Sequence, residues 1–120
     1  MEKYTNQQIQ DTLKIVEASI VNCERVQPRL KEGSPQLSLS HSRIKALCIA
    51  KTLLLKKTSK FTISELEEAA TQITSIKSKS TTGINNAKKG SGTYTRFFKL
   101  ITAMDIILDY LQKAKAEMRL

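Results

Sequence analysis

A similarity between the two halves of the chain constrains its fold more than any other feature of the sequence. The segments KEGSPQ (31–36) and KKGSGT (88–93) begin 57 residues apart, at 31 and 88. Shifting the sequence by that distance aligns 3–57 with 60–114 without a gap. Identities are few, but they group at this shared turn and at apolar, helix-spaced positions. An internal repeat of this length is typical of one supersecondary unit used twice.

Each copy predicts a helical hairpin. Thr5-x-x-Gln8 and Thr62-x-x-Glu65 are capping-box patterns, in which the threonine accepts a backbone N–H and the third helical residue reaches back. The glycine of each shared turn suits the left-handed residue that follows a helix end. In the first copy, apolar residues recur mostly every three or four positions, as on one helix face: Ile9, Leu13, Val16, Ile20, Cys23 and Leu30.

Two such hairpins have incomplete apolar faces that are buried when the hairpins pack together. The sequence therefore predicts an all-α fold with a single domain over 1–120, a four-helix bundle made of two repeated hairpins. The heptad-like spacing would also suit a homo-oligomer in which the apolar stripes pair between chains. The expected helices cover 5–31, 36–57, 62–88 and 94–117.

Three short elements of the first copy carry a resemblance to other proteins: Asn22-Cys23-Glu24-Arg25, Lys31-Glu32-Gly33-Ser34, and the stretch from Arg43 to Ala50. They resemble the pattern Lys-Cys-Glu-Lys, Leu-Lys-Glu-Gly-Ser/Thr and Arg-Ile-Lys-Ala-Leu-x-Ile-Ala of small uncharacterised helical proteins from Firmicutes and their mobile elements. The stretch 94–104 is similar to the third element, so the second copy matches weakly. The resemblance implies a fold and transfers no functional residue.

Residue types for catalysis or metal binding are scarce. The single histidine, His41, is expected to pack within its hairpin, and no Ser-His-Asp or Cys-His pattern can be assigned from the spacing. Cys23 and Cys48, taken with His41, lack the short ligand spacings typical of structural zinc. We interpret both cysteines as buried free thiols. The sequence predicts a non-enzymatic protein without a metal or a cofactor.

The second shared turn, AKKGSGTYTR (87–96), invites comparison with a phosphate-binding loop. In that loop a lysine follows the glycines, and the loop connects a strand to a helix. Here the lysines precede the glycines and no strand is predicted, so nucleotide binding is rejected. A plain hairpin turn is the favoured interpretation, and an anion held at the start of the following helix is the alternative.

The distribution of charge is the strongest indication of function. The chain carries a formal net charge of +9, and neither 33–64 nor 69–104 contains an acidic residue. Lysines in the last turns of helices complement the helix dipole and account for part of this pattern. The aromatic residues Phe97 and Phe98 are assigned to the core, whereas Tyr94 suits either the core or a stacked base. The predicted partner-binding residues are Lys77, Lys79, Lys88, Lys89, Tyr94, Arg96 and Lys99.

These features predict a cytoplasmic binding module for an acidic partner, either a nucleic acid or the acidic surface of a nucleic-acid-handling protein. An inhibitor of host defence carried by a phage or mobile element, similar to an anti-CRISPR protein, is one concrete form of this hypothesis. The alternatives are a direct DNA- or RNA-binding regulator and a bacteriocin or toxin immunity protein. A membrane role is not expected, because no apolar run approaches the ~18 residues that span a bilayer and the start does not resemble a signal peptide.

Overall fold

The computed structural model describes residues 3–57 and 60–118, and every regular element in these ranges is helical. The first hairpin consists of α1 (Asn6–Val26), a single 3₁₀ turn (Gln27–Arg29) and α2 (Pro35–Leu54). The second consists of α3 (Ile63–Asn86) and α4 (Gly92–Met118). The all-α fold with four helices is thereby confirmed, and the arrangement is compatible with a four-helix bundle.

Both predicted capping boxes are formed. Thr5 accepts the Gln8 amide through its hydroxyl at 3.1 Å, and the Gln8 side chain accepts the Thr5 amide at 2.8 Å. Thr62 and Glu65 make the same reciprocal pair, with both distances at 3.0 Å. The Thr62 amide, followed by the Lys45 ammonium, lowers the pKa of Glu65 below its ordinary value. Each pair satisfies backbone donors that a helix start would otherwise leave free.

The two shared turns also have the same local structure. Ser34 caps α2 by accepting the Leu37 amide at 3.2 Å, and Ser91 accepts the Tyr94 amide at 3.1 Å. The preceding glycines have φ values of +77° at Gly33 and +86° at Gly90, in the left-handed region that glycine tolerates best.

The predicted first and second helices are too long at their C-terminal ends. α1 stops at Val26 because Pro28 has no amide hydrogen, and the chain passes into the 3₁₀ turn. α2 stops at Leu54, and Lys56 with φ +57° turns the backbone away from the helix. The actual starts lie within two residues of the expected ones.

The apolar core lies at one end of both hairpins, which we call the closed end. All the buried hydrophobic side chains of the described ranges lie there, within 9–16, 46–54, 66–73 and 103–111, and each is at most 8% exposed. By contrast, no hydrophobic residue of 17–45, the first tip, or of 74–102, the second tip, is fully buried. The buried hydrophobic residues are Ile9, Leu13, Val16, Ala46, Leu47, Ile49, Ala50, Leu54, Leu66, Ala69, Ile73, Ala103, Met104, Ile106, Ile107 and Leu111.

Helix packing makes the molecule broad and thin. α2 contacts each of the other three helices, α3 and α4 form the most extensive pair, and α1 also contacts α4. The Cα extents are 43 × 39 × 19 Å, and the smallest of these corresponds to two layers of helices about 10 Å in diameter. The tips therefore extend from a core that all four helices share.

The buried positions of the two hairpins follow the same register. α3 begins 57 residues after α1 (63 against 6), and α4 begins 57 residues after α2 (92 against 35). The duplication itself stays a prediction. The positions that are buried in both hairpins at this offset are Ile9 and Leu66, Thr12 and Ala69, Val16 and Ile73, Ala46 and Ala103, Leu47 and Met104, Ile49 and Ile106, Ala50 and Ile107, and Leu54 and Leu111.

The location of the core predicts that two leucines of the same helix contribute very differently to stability. Leu47 is 0% exposed and Leu39 is 40% exposed, and both lie on α2. Leu47→Ala should lower the free energy of unfolding by about 2–5 kcal/mol, because it leaves a cavity among packed side chains. Leu39→Ala should lower it by under about 1 kcal/mol. Urea unfolding of both variants checks this expectation, and equal losses would contradict the closed-end core.

Candidate functional site

Ion pairs between helices neutralise many of the acidic side chains. The lysine nitrogen lies between 2.6 and 3.8 Å from the carboxylate oxygen in each pair, and the partners always belong to different segments. Because these side chains are partly exposed, each pair contributes little to stability. The pairs are Lys3–Asp109, Lys45–Glu65, Lys51–Glu17, Lys77–Asp105 and Lys115–Glu67.

The second tip has no comparable neutralisation. Its exposed cationic side chains form the surface that we call the basic tip, and within the described ranges none of them is in an ion pair. The nearest acids in sequence lie outside 69–104. The basic tip therefore presents positive charge that the protein itself does not compensate. It consists of Lys79, Lys88, Lys89, Arg96 and Lys99.

Lys77 was predicted to belong with these residues, but it lies in a different environment. Its Nζ is 2.6 Å from Asp105 Oδ1, in a contact that joins α3 to α4. Lys77 is only partly exposed, and the carboxylate beside it cancels most of its field at the surface. Of the predicted contact residues, Lys77 is therefore the least suited to meet an anion.

The aromatic side chains of the second tip divide into two environments. Tyr94 and Phe97 are partly buried, and the Arg96 guanidinium carbon lies 5.8 Å from the centre of the Phe97 ring. The Phe97 ring packs against Gly83 so closely that a Cβ there would lie 2.5–2.8 Å from three of its atoms. Phe98 is 57% exposed, so its assignment to the core is wrong. Because adjacent residues on a helix point about 100° apart, Phe97 and Phe98 cannot both face the same neighbouring helix.

Several hydroxyl groups of the second tip are already engaged within their own helices. The hydroxyls of Thr81, Thr82, Thr95 and Thr102 each donate to the carbonyl oxygen four residues earlier, at oxygen–oxygen distances of 2.9–3.3 Å. Their hydrogens are thus not available to a phosphate without breaking a local bond. The charged contacts with an anion at this surface come from the lysines and Arg96.

A groove between α1 and α4 lies beside the basic tip and was not foreseen from the sequence. It has a volume of about 370 Å³, and its apolar lining includes Ile15, Phe98 and Ile106. Lys14 of α1 and Lys99 of α4 also line it. The one signal in the sequence is the Phe97–Phe98 pair, because one of two adjacent large rings on a helix tends to face away from the core.

A polar cluster at the closed end ties the N-terminal segment to α4. The Tyr4 hydroxyl and the Lys3 ammonium both donate to Asp109 Oδ2, and the Tyr4 and Tyr110 rings stack with centroids 6.4 Å apart. The Tyr4 hydroxyl, and after it Lys3, holds the pKa of Asp109 below its ordinary value. Asp109 in turn raises the pKa of Tyr4. Because both donors converge on one carboxylate oxygen of α4, this cluster joins the N-terminal segment to that helix.

The cysteines and the histidine do not form a metal site. Cys23 is partly buried and Cys48 is exposed, so the expectation of two buried thiols is wrong for Cys48, which lies outside the buried face of α2. Burial raises the pKa of the Cys23 thiol, and the nearby Arg43 charge partly opposes this shift. His41 is also exposed rather than packed, and its Nε2 lies 2.7 Å from Gln27 Nε2. Over 3–57 and 60–118, the side chains nowhere bring together three or more potential metal ligands.

None of the helices in the described part of the chain combines the length and the apolar character needed to cross a bilayer.

Comparisons of the chain with protein-family models, curated proteins and solved structures gave no match. The resemblance to small Firmicutes and mobile-element proteins therefore stays a prediction.

The environments of the two cysteines predict different reactivity. Cys48 should react with iodoacetamide faster than Cys23 at pH 8, because Cys23 is less accessible and its raised pKa leaves less thiolate. Mass spectrometry over a time course measures both rates. The Cys48→Ser variant should lose the fast phase, and loss of that phase in Cys23→Ser instead would contradict the assignment.

The Lys77–Asp105 pair predicts the response of polyanion binding to two substitutions. Asp105→Asn should raise the salt concentration that elutes the protein from a heparin column, because it releases Lys77. The double variant Lys77→Gln/Asp105→Asn should elute near the wild type, because it removes one charge of each sign. Lys89→Gln, which removes an unpaired charge, serves as the reference for the effect of one basic side chain of the surface. A double variant that elutes as early as Lys89→Gln would show that Lys77 contacts the polyanion directly.

Proposed function

We propose that this protein is a non-catalytic binding module whose basic tip docks on an acidic macromolecular partner. The observation that carries this proposal is the separation of charge. The acids Glu17, Glu65, Glu67, Asp105 and Asp109 are paired with lysines of other segments, whereas in the described ranges the five cations of the basic tip are in no ion pair. A concentrated field of one sign attracts a polyanion and speeds its association.

The architecture supports this role because the basic tip lies away from the core. The buried side chains of α3 and α4 stop at Ile73 and resume at Ala103, apart from Ser80. A partner can therefore contact 74–102 without disturbing the closed end. Lys88 and Lys89 lie at the turn and Arg96 lies in the first turns of α4, so their charges are carried on a firmly capped hairpin end.

The proposed class of partner follows from the side chains of the basic tip that are available to contact it. Lysine and arginine contacts give salt-dependent affinity for phosphates or carboxylates without selecting a sequence. Because lysine and arginine supply all of its charge, the surface is suited to general charge recognition. Occupying the nucleic-acid channel or an acidic face of a nucleic-acid-handling enzyme, as an inhibitor of host defence does, is one form of this function.

We also infer that the two hairpins arose by duplication of one unit, and that the second copy acquired the binding surface. Support comes from the common register of helix starts and buried positions. In the second copy, Lys79 and Arg96 stand where the first copy has Asn22 and Leu39. The first tip also contains Glu24 and Glu32, so its charge is mixed.

A salt series tests the proposed function. The protein is titrated with random duplex DNA, single-stranded RNA and polyglutamate, and binding is followed by fluorescence anisotropy. For nucleic acid, log K should fall linearly with log salt, with a slope of about 0.9 per phosphate contacted in a duplex. Lys88→Glu/Lys89→Glu should weaken the binding of at least one polyanion by tenfold or more and reduce the slope by about 1 for each phosphate that is no longer bound.

The matched control is Lys57→Glu/Lys113→Glu, which makes the same change in net charge at the closed end. Both of these lysines line the surface near Tyr110 and lie outside the second tip. If the basic-tip and closed-end variants weaken binding of all three polyanions equally, only net charge matters and the proposed function fails.

A further inference from the structure

We propose that the groove between α1 and α4 receives an acidic amphipathic helix of a partner protein. This inference rests on the proposed function, since it identifies the acidic partner as a protein and gives it a second contact. The occupant is defined by its chemistry, namely apolar anchors along one face and carboxylates on either side of them.

The lining of the groove suits apolar anchors. Ile15 of α1 lines one wall, and Phe98 and Ile106 of α4 line the other. Phe98, at 57%, is the most exposed of the large hydrophobic side chains in the described ranges. An exposed phenylalanine beside an apolar groove marks an interaction surface more often than an isolated exposed side chain does. A partner side chain placed against Phe98 would remove this ring from water.

The length of the groove matches a short helix. Phe98 and Ile106 lie eight residues apart on α4, which corresponds to about 12 Å along the helix axis at 1.5 Å per residue. On a docked helix, anchors at positions i, i+4 and i+7 span about 10.5 Å by the same rise. Two turns of a partner helix therefore bring three anchors into the groove.

The charges at the groove favour an acidic occupant. Lys14 on α1 and Lys99 on α4 stand on opposite walls, and in the structure as described neither is in an ion pair. Lys99 also belongs to the basic tip, so the groove continues the surface assigned to the acidic partner. Carboxylates that flank the anchors on both sides would meet these two ammonium groups.

The groove favours a protein over a nucleic acid. Asp11 lines the same wall as Lys14 and accepts the Gln7 side-chain amide at 2.8 Å. Its carboxylate repels a phosphate backbone, whereas a polypeptide can place an amide or a basic side chain opposite it. The Thr102 hydroxyl donates to the Phe98 carbonyl at 2.9 Å and so offers no hydrogen to a phosphate. A second copy of this chain is disfavoured as the occupant, because each copy carries a formal charge of +9.

Selection from a displayed library of randomised 16-residue helical peptides tests the inference. The wild-type protein serves as the target, and Phe98→Ala protein removes peptides that bind elsewhere. Enriched peptides should carry apolar residues at i, i+4 and i+7 with aspartate or glutamate beside them. The best peptide, synthesised and labelled, should bind at least tenfold more weakly to Phe98→Ala and at least threefold more weakly to Lys14→Glu and Lys99→Glu.

Matched controls separate the groove from general effects. Val21 of α1 is also an exposed apolar residue, at 52%, but it lies outside the groove. Val21→Ala should therefore leave peptide affinity unchanged. Lys113→Glu makes the same charge reversal at the closed end and should have a smaller effect than Lys99→Glu. Circular dichroism and urea unfolding of each variant confirm that the fold is kept.

The outcomes distinguish the two proposals. In one outcome, peptide binding requires Phe98, and neither peptide binding nor polyanion binding is weakened by Lys88→Glu/Lys89→Glu. This outcome would support the groove as a peptide site and reject the basic tip as the polyanion site. Loss of polyanion binding in that variant, with no enriched peptide, would keep the basic tip and overturn the groove.

Other occupants of the groove would also overturn the inference. A dimer seen by sedimentation and abolished by Phe98→Ala would show that a second copy fills the groove. Single-stranded RNA binding that Phe98→Ala weakens, without any enriched peptide, would assign the groove to a stacked base.

Discussion

Removal of apolar side chains from water at the closed end holds the four helices in one structure. Val16, Ile73, Ile107 and Leu47 are fully enclosed there, one from each helix, and they bring together segments far apart in sequence. Capping boxes, turn glycines and surface ion pairs shape the individual helices and their joints, but each contributes only on the order of 1 kcal/mol. The tips add few buried contacts, so their positions depend on how firmly the closed end fixes the bases of the hairpins.

This division of roles explains why the second tip can carry the basic surface and the exposed ring at the edge of the groove. A side chain in the core is restricted by its neighbours on all sides, and charge there is costly. At the second tip, Lys79, Lys89 and Arg96 remain in water, and Gly83 gives the Phe97 ring the space to close the hairpin. Phe98 then faces outward beside α1. The same packing that buries one phenylalanine therefore places the next one in the groove.

Local features of the fold could be predicted from the sequence, because they depend on residues close together in the chain. Thr5 with Gln8, Thr62 with Glu65, and Gly33 with Gly90 all have the expected structure. Features that depend on distant residues were harder to predict. The spacing of Cys48 and Phe98 among apolar residues is compatible with a buried helix face. Which face is buried, however, depends on how the other helices pack against it. Likewise, the absence of acids from 69–104 can be read from the sequence, whereas the pairing of Lys77 with Asp105 depends on the approach of α3 to α4.

The paired and the unpaired charges of the molecule respond in opposite ways to ionic strength. Dissolved salt weakens attraction between exposed opposite charges and repulsion between exposed like charges over a range of about 8 Å at physiological concentration. Salt therefore loosens contacts such as Lys51–Glu17 and Lys115–Glu67, while it relieves the mutual repulsion of the lysines around Gly90. An increase in salt concentration that reduces repulsion within the basic tip therefore also weakens the ion pairs between helices. How the hairpins respond as the surrounding electrolyte changes therefore depends on the arrangement of the charges as well as on their sum.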